Sequence, residues 1–247
     1  MRMSTTLVIN SKGGSGKTTV ATNLASYFAA NRIPAAIMDY DAQGSCLNWL
    51  RLRTPGVAKI HGASAAPQKM GLRSLGMHVP GDTRQLIIDA PAGASGLLLQ
   101  EMLARADCVL VPVQPSAIDI HATANFIRDL LLNGRLRARK IRLGVVANRV
   151  RRATPVYQPL ERFLGSLGLP FLARLGDSEI FVEAAETGLG IFEMDASAAV
   201  EREQFMPIVE WVYPGHDVKV NPMTNTNVYE LLRRSQAGSL SAFSTRA

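Results

Sequence analysis

A chain of 247 residues with 47% hydrophobic and 19% charged residues makes one large domain or two small ones and is long enough to bury a substantial core. Its net charge of +7 favours an anionic partner, nucleic acid or lipid. Two distant cysteines with no C-x-x-C spacing exclude a disulfide framework and argue against a redox or zinc motif, and no apolar run approaches the ~20 residues needed to span a bilayer.

In chain order, the apolar run Leu7–Asn10 reads as a strand. Ser11-Lys12-Gly13-Gly14-Ser15-Gly16-Lys17-Thr18-Thr19 follows, and then a helical pattern over Lys17–Ala30. Strand, glycine-rich turn and helix are the context of a phosphate-binding loop. Backbone N–H groups of such a turn face inward on phosphate oxygens, and the helix N-terminus adds its positive dipole end. Lys17 is expected to reach the β- and γ-phosphates and Thr18 to hold Mg²⁺. Gly13, Gly14, Ser15, Gly16 and Thr19 complete the nucleotide-binding set.

Further strands are expected at Ala35–Asp39, Leu86–Asp89, Cys108–Val113, Leu143–Asn148 and near Pro170–Ala173. Helices are expected at Gly96–Arg105, Ile118–Leu132, Pro155–Leu167, Ile180–Thr187 and Ala198–Val212. Nearly continuous apolar strands separated by helices indicate an α/β fold, a mostly parallel twisted sheet with helices on both faces. Residues 51–85 lack clear periodicity and read as a variable connection with a short helix around Gln68–Ser74. The composition turns polar at Pro214, so residues 1–213 are expected to form the phosphate-loop domain and 214–247 a polar tail with one helical patch, Val228–Arg234. The N-terminus carries no signal-peptide pattern, so a cytoplasmic protein is expected.

Three elements support the nucleotide reading. Leu86-Ile87-Ile88-Asp89 is an apolar strand ending in an acid placed to hold Mg²⁺. Asp39 and Asp41 follow the second strand and bring two acids to its carboxyl end. Asn148 ends the Val145–Ala147 run, and its amide can both donate to and accept from an adenine edge.

The K-G-G-x-G-K-T-T loop, with its extra lysine Lys12, resembles the deviant Walker A motif of the ParA/MinD family. Asp39-Tyr40-Asp41-Ala42-Gln43 is similar to that family's D-x-D-P-Q switch, with alanine in place of proline, which implies that Asp41 orients the attacking water and that Asp39 supports the metal shell. Val111–Asp119 and residues 175–193 also resemble small ParA proteins that lack an N-terminal helix-turn-helix. The resemblance implies an ATP hydrolase, weak unless stimulated, that uses ATP and Mg²⁺. It implies an ATP-dependent homodimer in which Lys12 reaches the partner's nucleotide and Lys12, Lys17 and Asp41 serve catalysis. It implies nonspecific binding of double-stranded DNA over the nucleoid of a prokaryote, a cargo-linked stimulating protein, and positioning of a plasmid, chromosome region or protein assembly.

No acid lies between Asp129 and Glu161, whereas Arg135, Arg137, Arg139, Lys140, Arg142, Arg149, Arg151 and Arg152 do. Eight cations without counter-charge suit phosphate neutralisation on duplex DNA, and all but Arg142 are taken as DNA-contact candidates. A MinD-like membrane ATPase is the alternative; it needs an amphipathic C-terminal helix, which Ser235, Gln236 and Gly238 interrupt. An iron–sulfur reductase component or a small-molecule kinase is disfavoured for want of a suitable cysteine pair or a second substrate pocket. The four histidines lack metal-ligand spacing.

Overall fold

The computed structural model describes residues 2–66, 73–133, 136, 138–151, 158–166 and 168–214. Seven parallel strands form one sheet: β1 (Ser4–Val8), β2 (Ala35–Asp39), β3 (His61–Ser64), β4 (Gln85–Asp89), β5 (Cys108–Val113), β6 (Arg142–Val150) and β7 (Phe171–Gly176), in the order β3-β2-β4-β1-β5-β6-β7. The helices are α1 (Lys17–Ala30), α2 (Ser45–Leu52), α3 (Arg73–Gly76), α4 (Gly96–Arg105), α5 (Ala117–Leu132), α6 (Gln158–Ser166), α7 (Glu179–Glu186) and α8 (Ala199–Val212).

Strand residues alternate between two cores. Val8, Ile37, Ile87, Leu110 and Val146 pack against α1, α2, α7 and α8. Leu7, Met38, Ile88, Val109 and Val145 pack against α4, α5 and α6. Every residue of β2, β4 and β5 is buried, as a sheet covered on both faces requires. The strand order reverses about β1, whose neighbours are β4 and β5, so the crevice for a ligand opens at its carboxyl end.

The expected boundaries of α1, β2, α4 and β5 agree with the structure. Helix α1 is buried along most of its length and ends where Arg32 turns left-handed (φ 59°) and Ile33 N–H reaches back to the Phe28 carbonyl at 2.8 Å. Strand β1 begins earlier than expected, because Ser4 and Thr6 pair with Gln85 of β4 and Cys108 of β5. Two elements escape the sequence reading. Helix α2 buries only Cys46 and Trp49, too short a stripe to register as periodic. Strand β3 is an edge strand of sequence HGAS that exists through its ladder with β2, from Ala36↔His61 to Asp39↔Ser64. The tail from residue 215, including the Val228–Arg234 patch, lies outside the described residues, as do 152–157.

Candidate nucleotide site

The glycine-rich turn leaves β1 at the switch point and is braced from below. Asn10, which is buried, donates from Nδ2 to the Pro112 carbonyl (2.7 Å) and Thr123 Oγ1 (3.1 Å), while its Oδ1 accepts from Lys12 N–H (3.2 Å). Gly14 (φ 73°) and Gly16 (φ 94°) are left-handed, a conformation that costs other residues strain. Gly16 has a second constraint: a Cβ there would lie 1.8 Å from Asn148 Nδ2. Asn148 is itself buried and donates to the Ser15 carbonyl at 3.1 Å. The asparagine expected at a base edge thus also supports the phosphate loop.

Lys17 is buried, and its Nζ donates to the Lys12 carbonyl at 3.0 Å. Burial lowers its pKa, while Asp89 and Asp41 oppose that shift; all three therefore share one electrostatic environment. Thr18 Oγ1 donates to Asp89 Oδ2 at 2.8 Å. The Cys46 thiol donates to the same oxygen at 3.1 Å, a contact invisible in the sequence because it links α2 to β4. Asp89 Oδ1 is buried and has no hydrogen-bond partner among the described residues. Burial raises this carboxyl to about 6, against the opposing hydrogen bonds from Thr18 and Cys46.

An orphaned carboxylate oxygen beside a threonine hydroxyl fits a hard divalent cation. Magnesium takes few protein ligands and leaves the rest of its shell to water and phosphate. The described residues accordingly need no cluster of three acidic, histidine or cysteine ligands, and they contain none.

Asp39, expected to support the metal shell, pairs with Asp89 across the β2–β4 ladder and spends its carboxylate on backbone donors. Its Oδ1 accepts from Asp41 N–H (3.0 Å), and its Oδ2 accepts from Cys46 N–H (3.0 Å) and Leu47 N–H (3.3 Å). The carboxylate therefore ties down the first turn of α2 and the loop that carries Asp41. Asp41 is half-buried and accepts from Gln43 N–H at 2.9 Å. Lys12, with its side chain 42% exposed, stands at the rim with Nζ 4.0 Å from Asp119 Oδ1.

A cavity of about 360 Å³ opens beside Thr19, lined by Asn148, Arg149, Asp177, Ser178 and Phe181 among others. A second, of about 370 Å³, lies on the other flank of Thr19 between α1, α2 and α7. The first has the position and polar edge for a base whose phosphates occupy the turn.

The described cations of the basic run stand at two ends of β6. Arg139 and Lys140 precede β6, whereas Arg149 and Arg151 lie at its far end. At about 3.3 Å per residue, the nine steps from Lys140 to Arg149 span roughly 30 Å. Arg151 pairs with Asp177 (3.2 Å), and Arg142 donates to the Trp211 carbonyl (2.6 Å) with its guanidinium over the Trp211 ring. Arg135, Arg137 and Arg152 lie outside the described residues. Among the described residues, no helix is long and apolar enough to cross a membrane.

The chain as a whole is similar to known proteins. The profile of the CobQ/CobB/MinD/ParA nucleotide binding domain matches residues 6–191. The chain is 22% identical over 215 residues to maintenance of carboxysome distribution protein A of Halothiobacillus neapolitanus, covering 85% of this chain and 96% of that protein. Its fold is similar to that of the septum site-determining protein MinD of Pyrococcus horikoshii, solved with Mg-ADP, at a TM-score of 0.62 and 16% identity over 86% of this chain and 97% of that one. It is equally similar to the ATP complex of a Cyanothece McdA variant, at a TM-score of 0.62 and 17% identity over 85% and 96%. The profile takes in the glycine-rich turn, the Asp39–Asp41 loop, Asp89 and Asn148 together, and the chain belongs to the CobQ/CobB/MinD/ParA family of nucleotide-binding proteins.

Proposed function

We propose that the chain is an ATP-hydrolysing positioning switch. The observation that carries this reading is the convergence of Lys17, Thr18 and an Asp89 with one unpartnered oxygen beneath a left-handed glycine turn, with a second, half-exposed lysine at its rim. The turn's N–H groups and Lys17 hold the triphosphate. Thr18 and Asp89 hold Mg²⁺, which neutralises phosphate charge when bound. Asn148 faces the adenine edge. Asp41, held by the loop that Asp39 anchors, orients the attacking water.

Lys12 belongs to a dimer. Two chains meet at their carboxyl edges, and each Lys12 leaves Asp119 for the partner's phosphates. DNA binding falls to the opposite edge, where Arg139 and Lys140 stand at the start of β6. ATP then acts on DNA affinity through valency, because a dimer carries two such surfaces and gains by effective concentration. A cargo-bound protein stimulates hydrolysis and returns the monomer. The resemblance to a protein named for carboxysome distribution favours a protein assembly as cargo, positioned over the nucleoid in a prokaryotic cytoplasm.

Sedimentation of Asp41→Ala with saturating Mg-ATP is the test. Dimers are expected with ATP, monomers with ADP, and monomers in the Lys12→Ala, Asp41→Ala double variant that still binds ATP by calorimetry. Monomers throughout, or no affinity for ATP, would refute the switch.

A further inference from the structure

Arg149 occupies a position that the DNA reading does not account for. Three non-glycine residues among those described have positive φ: Arg32, Lys140 and Arg149. The first two follow helical turns and are closed by Ile33 N–H to the Phe28 carbonyl and Ile141 N–H to the Leu136 carbonyl. That is the ordinary left-handed helix stop. Arg149 (φ 56°) instead lies inside β6, where left-handed backbone is strained unless the surroundings impose it.

The cause is a bulge. Ala147 pairs with Arg174 and Val150 with Gly176, so three steps on β6 oppose two on β7. In an unbroken strand, successive side chains point to opposite faces. Val145 and Ala147 belong to the α4–α6 core and Val146 to the α1 core, so Arg149 would fall on the α4–α6 side. The bulge reverses this, and Arg149 lines the α1-side cavity together with Asn148, Ser178 and Phe181. It makes no hydrogen bond or ion pair among the described residues, whereas Arg151, two positions on, is held by Asp177.

We propose that Arg149 lays its guanidinium on the face of the purine whose edge Asn148 reads. The assignment rests on the nucleotide reading above and moves Arg149 from a DNA surface to the base pocket. A planar, permanently charged fork stacks on an aromatic face as an ammonium does not. The bulge thereby delivers two consecutive side chains, one for the edge and one for the face of the same ring.

The experiment is calorimetry of the full chain with Mg-ATP and with magnesium tripolyphosphate, which carries the phosphates without the base. Arg149→Ala should weaken ATP roughly three- to thirtyfold and leave tripolyphosphate unchanged. Arg149→Lys should fail to restore ATP affinity. Arg149→Gly, which accepts the positive φ without strain, should behave as the alanine variant does and separates a base contact from a folding defect. Unchanged ATP affinity in the alanine and glycine variants, an equal loss for both ligands, or full rescue by lysine overturns the assignment. Wild-type protein that binds tripolyphosphate and ATP equally defeats the base pocket, and one that binds neither defeats the nucleotide reading itself.

Discussion

Replacing Asp89 by asparagine should stabilise the nucleotide-free protein at neutral pH. Burial lifts the Asp89 carboxyl from 3.8 to about 6. At about 1.4 kcal/mol per pH unit, this difference makes the ionised side chain cost the fold about 3 kcal/mol. The sign follows from proton counting. The folded value is the higher one, so between about pH 4 and pH 6 the native state keeps a proton that the unfolded chain has released. Stability therefore falls as pH rises through that window and stays lowered above it. Asparagine keeps an acceptor for Thr18 and Cys46 but places an amide donor where Oδ1 has no partner, at a cost of about 1–3 kcal/mol. That cost is the same at every pH. The difference between the mutational effect at about pH 8 and at about pH 4 isolates the ~3 kcal/mol of buried charge. Asp39, also raised by burial, faces Asp89 as a like charge, so the difference reports the coupled pair of carboxyls with Asp89 as its more buried member. Urea denaturation in EDTA without nucleotide is the assay. A pH-dependent difference below about 1 kcal/mol would show that Asp89 is not held as a desolvated carboxylate waiting for a cation. With Mg-ATP added, the wild type should gain a magnesium-dependent increment of stability that the variant lacks.

Asp41→Ala should retain ATP affinity while hydrolysis, followed by phosphate release, falls by about 10² or more, as expected for loss of a water-orienting group. Glu193→Ala should destabilise by about 3 kcal/mol in chemical denaturation, because it strands Arg53, a buried partner at 2.5 Å; a joint Arg53→Met, Glu193→Met variant should recover most of the loss. Replacing Arg139 and Lys140 by alanine should lower the slope of log affinity for duplex DNA against log salt by about 2, whereas Arg149→Ala should leave that slope unchanged.

The phosphate loop was legible in the sequence because its constraints are local. Gly14 and Gly16 take backbone angles that side chains resist, and Lys17–Ala30 carries its helical pattern within itself. Apolar β2, β4 and β5 announced a sheet covered on both faces for the same reason. Asp39 could not be read in this way. Two acids one residue apart after a strand look alike until α2 folds back and donates its N–H groups to the first of them.

The sequence by itself determined the family, the alternation of strands and helices, and the residues that can bind a nucleotide, since residue type and spacing carry those. Tertiary structure alone decided which of these residues meet. It set the Cys46 thiol on Asp89, placed Arg139 and Lys140 at the other end of β6 from Arg149 and Arg151, and turned Arg149 into the cavity that Asn148 lines through one extra residue in β6. The physical reason is that each of these outcomes depends on the register between strands or on a contact between distant elements, and no local propensity encodes either.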